Sequence, residues 1–480
     1  MELKELIDIA VGLLEAPDRD EPVIRHGAPD EIRAAMERVV PLAIDGHAVS
    51  TTDLAAALDV VVHHSMRTSH PRFMNQNFAG ADPVAVVGDW IGSALHTIAS
   101  TYEMAPVFTL MEQELVTRLG ELAGFPTVDG VAPGMFCAGG SIGTVHALQL
   151  ARHRFDPDGA RRGWTARFAV FTSATAHYST EKAASLLGMG TDAVVPVPVD
   201  AQGAMDVDAL RSAVTAAADA GRTPLAVVAT SGTTVSASFD PIDLLADVCD
   251  EHGMWLHVDG CFGGSALFST SQRHRLAGSE RADSMVWNLH KMMGLTQQCT
   301  ALLVRRPMAL RECFSSGADY IFQADKLHTE MDIGDATFVC ARRVDTLKLW
   351  ITWKLRGDDG FEQRVDHAVA LADRTRTLVE ASADLELVGP GDFSTVCLRW
   401  TPSPELAAGF DDAALDRIPM LAKAAQQRSG AAMIGVQPVN GVNCFRLIFT
   451  NPEMDETDVD ELLELIRSTS ADAAASTSPR

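Results

Sequence analysis

The chain of 480 residues is 47% hydrophobic and 21% charged, an ordinary balance for a globular protein with a core large enough to hold a pocket. Its formal net charge of -25 argues against nucleic acid and anionic membrane surfaces as partners, and no apolar run reaches membrane-spanning length. Eight scattered cysteines without a C-x-x-C pair read as reduced core residues, which fits a cytoplasmic enzyme or binding protein.

In chain order, "MELKELIDIAVGLLEAPDRD" mixes charges into a short apolar periodicity and reads as a surface helix rather than a signal peptide. Residues 1–80 are helical and polar in pattern and end in the irregular link "SHPRFMNQNFAG". A large domain is expected over 81–355. Within it, "CAGGSIGTVHALQLAR" is a glycine-rich turn opening a helix, with Gly140 and Ser141 at the junction. From residue 165 to 305, β-type runs alternate with helical patterns. "RFAVFTS" precedes the helix-like "YSTEKAASLLGMG", and "AVVPVPVD" precedes "MDVDALRSAVTAAADAG" with Gly221 at its C-terminal end. "PLAVVATSG" precedes "DPIDLLADVCDEHG", and "MWLHVDG", "SMVWNLH" and "ALLVR" complete the series. This alternation predicts an α/β fold with a mostly parallel central sheet covered on both faces. After "RGDDG" the pattern changes, giving a smaller C-terminal α+β domain over 356–470 with strands at "STVCLRW" and "NCFRLIFT". The low-complexity tail 471–480 is expected to be disordered.

Ligands of such sheets lie beyond the carboxyl ends of the strands. The polar residues closing these strands include Ser173, Thr175, His177, Ser231, Thr233, Thr234, Asp259, Asn288, His290 and Lys291. Each has a plain reading by itself: a loop-to-helix junction, a structural salt bridge, a core histidine, a lysine stem lying along apolar surface. Lys291 is conspicuous nonetheless. It stands in "SMVWNLHKMMG", and lysine supplies only seven of the 39 basic residues. Together, an anion-binding turn, an acid, a stacking-sized ring and an amine match pyridoxal 5′-phosphate (PLP), and desolvation would favour the neutral, nucleophilic amine.

Nearly the whole chain, from "HPRFMNQ" to "CFRLIFTNP", resembles the PLP-dependent group II amino-acid decarboxylases of the glutamate and cysteine-sulfinate decarboxylase type. Segments carrying the resemblance include "TYEMAPVFTLMEQE", "FTSATAHYSTEKAASLLGMGTD", "TSGTTVSASFDPI", "LHVDGCFGGSALFS", "ADSMVWNLHKMMG", "YIFQADK" and "GDATFVCARRVDTLKLW". It implies the fold type I, aspartate aminotransferase-like architecture and a homodimer. The resemblance makes Lys291 the Schiff-base lysine, Asp259 the partner of the pyridine nitrogen and His177 the ring that stacks on the cofactor. Thr234 would lie near the cofactor and the substrate carboxylate, with Gly140, Ser141, Asn288 and His290 around the phosphate. Tyr320 would be the loop acid that protonates the carbanion, and Gln76 and Arg446 would face the substrate.

Several positions depart from the relatives' pattern. Leu289 replaces a proline, Gly260 and Cys261 replace two alanines, and Gly143 stands where a polar side chain often helps hold the phosphate, with Thr144 beside it as a possible substitute. Ile98 and Ser100 replace the asparagine and phenylalanine of the glutamate enzymes. The expected reaction is α-decarboxylation of an acidic L-amino acid: aspartate, glutamate or cysteine sulfinate. The alternatives are an aromatic or diamino-acid substrate, or a decarboxylation-coupled oxidative deamination on the same fold.

Overall fold

The computed structural model describes residues 2–15, 18–317 and 326–477. Twelve strands follow in chain order: β1 (Phe73–Met74), β2 (Gly134–Cys137), β3 (Phe168–Ser173), β4 (Val194–Val197), β5 (Thr223–Thr230), β6 (Trp255–Asp259), β7 (Ser284–Asn288), β8 (Thr300–Val304), β9 (Leu385–Leu387), β10 (Thr395–Trp400), β11 (Met433–Val439) and β12 (Val442–Ile448). They form two sheets, and the chain divides into two compact units.

The larger unit, residues 81–370 with 389–395, is built on the seven-stranded sheet β2-β8-β7-β6-β5-β3-β4. Strands β7, β6, β5, β3 and β4 run parallel, whereas β8 is antiparallel to both β7 and β2. Every residue of β6, β7 and β8 is buried, as continuous apolar runs require in a sheet covered on both faces. The predicted strands from "RFAVFTS" to "ALLVR" all form.

Helix ends follow their local chemistry. Asp206 caps Val207–Asp219 by accepting from the Ala209 amide at 2.9 Å, and Gly221 just beyond takes φ 72°. The Asp240 carboxylate ties two loops to this core, accepting from the Thr230 and Met205 amides at 2.7 Å each. Strand order reverses between β3 and β5, so the segments leaving these strands, which carry His177 and Thr234, flank the topological switch point.

The smaller unit comprises residues 1–80, 371–388 and 396–480. Its sheet runs β1-β11-β12-β10-β9, and the early helices Pro29–Glu37 and Thr51–His64 belong to the same unit. The sequence divided the molecule differently, with a separate N-terminal segment and a boundary at 355/356. Strand β1 pairs in parallel with β11, Phe73 opposite Met433, and this pairing draws residues 1–80 into the C-terminal unit. The helix Thr346–Glu380 crosses the expected boundary, interrupted only at Gly357 (φ 69°) within "RGDDG". The tail also departs from expectation. The last helix, Glu456–Ser476, extends through residues expected to be disordered, because Ala473 and Ala474 are buried.

Candidate active site

The carboxyl ends of β3, β5, β6 and β7 converge in the large unit. Asp259 closes β6 and is 8% exposed. Its Oδ1 accepts from the Cys261 amide at 3.1 Å, and no cationic side chain lies within ion-pair range among the described residues. A buried carboxylate in that state needs a cation to offset its desolvation. Beside it, Thr230 Oγ1 and Ser231 Oγ are buried without a hydrogen-bond partner.

His177 follows β3, half-buried, its Nδ1 accepting from the Ser179 amide at 3.2 Å, which leaves Nε2 to carry the proton of the neutral ring. Burial lowers its pKa. Asp259 opposes that shift, while Lys291 and Lys182 reinforce it, so the three charges act on one ring. Tyr178 packs against the imidazole, ring centroids 4.1 Å apart. Lys291 stands one turn after β7, its amide donating to the Asn288 carbonyl at 3.2 Å. The sequence led us to expect a buried lysine. The structure leaves Lys291 half-buried, whereas Met292 and Met293, next along the chain, take fully buried positions.

The glycine-rich turn joins this cluster. Gly139 adopts φ 91° ahead of the helix Gly140–Phe155, and no side chain caps that helix, so its first amides have no intrahelical acceptor. A Cβ on Gly140 would fall closer than 3.0 Å to Cys261 Sγ and 3.2 Å from Asn288 Nδ2. Asn288 is itself oriented by Thr300, whose hydroxyl donates to its Oδ1 at 2.9 Å. His290 Nδ1 accepts from the Cys299 amide at 3.1 Å, and burial brings its pKa down to about 4. Ser141 is exposed in the first turn, and Thr234 is half-buried after β5.

Two departures in the sequence now have physical reasons. Gly143 carries no side chain because a Cβ there would run into Val286 of β7, which seats the helix on the sheet. Thr144 does not substitute for it: buried, it donates its hydroxyl to the Gly140 carbonyl at 3.1 Å. Burial, with Asp259 next, pushes the Cys261 thiol well above its usual range, so it acts as packing rather than as a nucleophile. The seam formed by Gly140, Cys261 and Asn288, and the role of Thr300 within it, were not legible in the sequence. The three segments are far apart along the chain.

The smaller unit places the other expected residues. Arg446 on β12 is buried, and its Nη2 donates to the Asn75 carbonyl at 2.7 Å, beside Gln76, whose side chain is exposed. Ser100, in the large unit, is buried with its hydroxyl bonded to the Cys340 carbonyl. Tyr320 lies outside the described residues. Among the described residues no group of side chains could hold a metal ion.

These observations fit PLP: an anion cradle that a side chain would fill, a buried acid without a cation, and an amine close to it. Comparison with known proteins agrees. The pyridoxal-dependent decarboxylase conserved domain matches residues 34–401. Cysteine sulfinic acid decarboxylase of Rattus norvegicus is 40% identical, covering 96% of this chain and 94% of its own. Acidic amino acid decarboxylase GADL1 of Homo sapiens is 37% identical, covering 95% and 87%. The crystal structure of mouse CSAD superposes with a TM-score of 0.91 at 37% identity, covering 98% of each chain. That of Oryza sativa TDC with PLP and tryptamine gives 0.88 at 26%, covering 98% and 97%.

Proposed function

Because the chain belongs to the pyridoxal-dependent decarboxylase family, we propose that it removes the α-carboxylate of a small acidic L-amino acid, releasing carbon dioxide and the amine. Cysteine sulfinate, aspartate and glutamate are the substrates in view. Bound PLP supplies an aldehyde that takes up an amine and a protonated ring that accepts the electrons of a breaking bond.

The chain's own residues do the rest. Lys291 Nζ would hold the cofactor covalently. Asp259, with no cation in ion-pair range among the described residues, would keep the proton on the ring nitrogen. His177 would lie against the ring, neutral because burial disfavours its charged form. The amides of Gly140 and Ser141, with Asn288 and His290, would hold the phosphate, and Thr234 would stand by the cofactor and the substrate carboxylate. Arg446 and Gln76 receive the substrate's distal acid, Arg446 through its planar fork. Tyr320 delivers a proton to the α-carbon, so that amine is released rather than a carbonyl.

The observation that carries this reading is the meeting of Asp259, His177 and Lys291 beside an uncapped helix start. The test is a substrate screen of the reconstituted enzyme across the common amino acids and cysteine sulfinate. Release of carbon dioxide and amine in equal amounts, fastest with an acidic substrate, is expected. Faster turnover of an aromatic or diamino acid would refute the substrate class, and ammonia with peroxide would refute the reaction.

The same reading makes the enzyme a homodimer. Val87, Ile91 and Leu95 of the helix Pro83–Leu95 and Val107 and Leu110 of Pro106–Ala123 are exposed apolar residues of the large unit, of the kind an interface covers. It also places the enzyme in the cytoplasm, consistent with eight cysteines of which none forms a disulfide.

A further inference from the structure

We infer that the large unit carries a second anion site at the amino ends of its parallel strands, a pocket for a phosphate or pyrophosphate group, free or on a small organic carrier. The pocket has a volume of about 260 Å³ and is lined by Arg152, Trp164, Arg167, Met189, Asp192 and Arg222, among others. Arg152 closes the helix Gly140–Phe155, whereas Arg167, Asp192 and Arg222 precede β3, β4 and β5. The site therefore lies at the end of the sheet opposite Asp259 and Lys291 and uses none of the proposed catalytic residues.

The three arginines are charged and unmatched. Arg152 is 7% exposed, and its Nη1 donates to the Leu187 carbonyl at 2.6 Å and its Nη2 to the Gln149 side chain. Its guanidinium lies 4.1 Å over the Trp164 ring, and its buried Nε has no acceptor. Arg222 donates through Nη2 to the carbonyls of Phe168, Asp192 and Ala193, at 3.2, 2.8 and 2.9 Å. These acceptors are all neutral. None of the three arginines forms an ion pair among the described residues, and the Asp192 carboxylate, the one acid on the wall, stands beyond ion-pair distance of them.

In a chain with 64 acidic and 39 basic residues, carboxylates are abundant, and elsewhere arginines find them: Arg281 pairs with Asp243, Asp247 and Asp250. A buried guanidinium without a counter-charge is costly, and burial lowers the Arg152 pKa accordingly. An anion resolves that cost. Guanidinium forks match phosphate oxygens in pairs, and Trp164 and Met189 offer an apolar wall to an organic carrier.

The test uses the holoenzyme freed of excess cofactor by gel filtration, in which the covalently held cofactor keeps the catalytic phosphate site filled. Calorimetric titrations with inorganic phosphate, pyrophosphate and AMP are run on the wild type and on an Arg167→Gln/Arg222→Gln variant. Saturable binding of at least one probe is expected, weakened about tenfold or more in the variant, with cofactor absorbance and decarboxylation unchanged. Tighter AMP than pyrophosphate assigns an organic carrier, and the reverse assigns the free ion. If the double variant misfolds, Arg167→Gln alone carries the test, since Arg167 is exposed. No saturable binding of any probe, or binding the substitutions leave intact, overturns the site.

Discussion

Replacing Gly140 with alanine puts one methyl group into the seam between the glycine-rich turn and the ends of β6 and β7. The new Cβ would come closer than 3.0 Å to Cys261 Sγ and 3.2 Å from Asn288 Nδ2. Neither neighbour can yield freely: Cys261 is buried with its amide bonded to Asp259, and Asn288 is held by Thr300. Overpacking of this kind costs about 1–3 kcal/mol, while alanine in a helix returns at most about 1 kcal/mol over glycine. The remainder, about 0–2 kcal/mol and toward the upper end for so close a contact, falls on the turn that presents the amides, and corresponds to a cofactor affinity weakened by up to roughly 30-fold. Apoenzyme titrated with PLP, read by the absorption of the bound cofactor, measures it. Cys261→Ala removes the sulfur, so the Gly140→Ala/Cys261→Ala pair should regain most of the lost affinity. Wild-type affinity in Gly140→Ala, or a double variant no better than the single one, would refute the steric reasoning.

Asp259→Asn removes the one buried anion of the cluster; turnover should fall roughly 10²–10³-fold while borohydride still traps cofactor on Lys291, and activity close to wild type would exclude the ring-nitrogen role. Tyr320→Phe should retain cofactor but lower the ratio of amine to carbon dioxide, and an undiminished ratio would remove Tyr320 from the protonation step. Acid should weaken the fold through His257, which is fully buried with Nδ1 bonded to Ser284 Oγ at 2.9 Å. Burial takes its pKa from 6.5 to about 4. A base with a lowered pKa in the folded state stabilises above the unfolded value and loses that contribution as pH falls from 6.5 to about 4. The full loss is about 3 kcal/mol. Urea unfolding at about pH 7 and about pH 5 should show part of it, and a His257→Gln variant as acid-sensitive as the wild type would place the effect elsewhere.

The β-type runs from "RFAVFTS" to "ALLVR", the helices between them and the polar residues at their ends were legible in the sequence. Each is written in a few consecutive residues, by periodicity, a cap or a glycine. Strand order, the antiparallel setting of β8 and the short β2 were not, since four residues of "GMFC" carry too little pattern to announce a strand. The pairing of Phe73 with Met433, which draws the first 80 residues into the C-terminal unit, joins positions no local pattern connects.

Chemical identity was therefore decided by the sequence: an amine at 291, an acid at 259 and a ring at 177, each at the end of a run that had to be a buried strand. Tertiary packing decided how those groups are spent. It turned Gly143 into a contact surface for Val286, tied the Thr144 hydroxyl to its own helix, left Lys291 half-exposed beside two buried methionines, and gathered Arg152, Arg167 and Arg222 around one pocket. Side-chain type is a property of one position, whereas burial and partnership depend on which distant segments the strand order brings within a few ångströms.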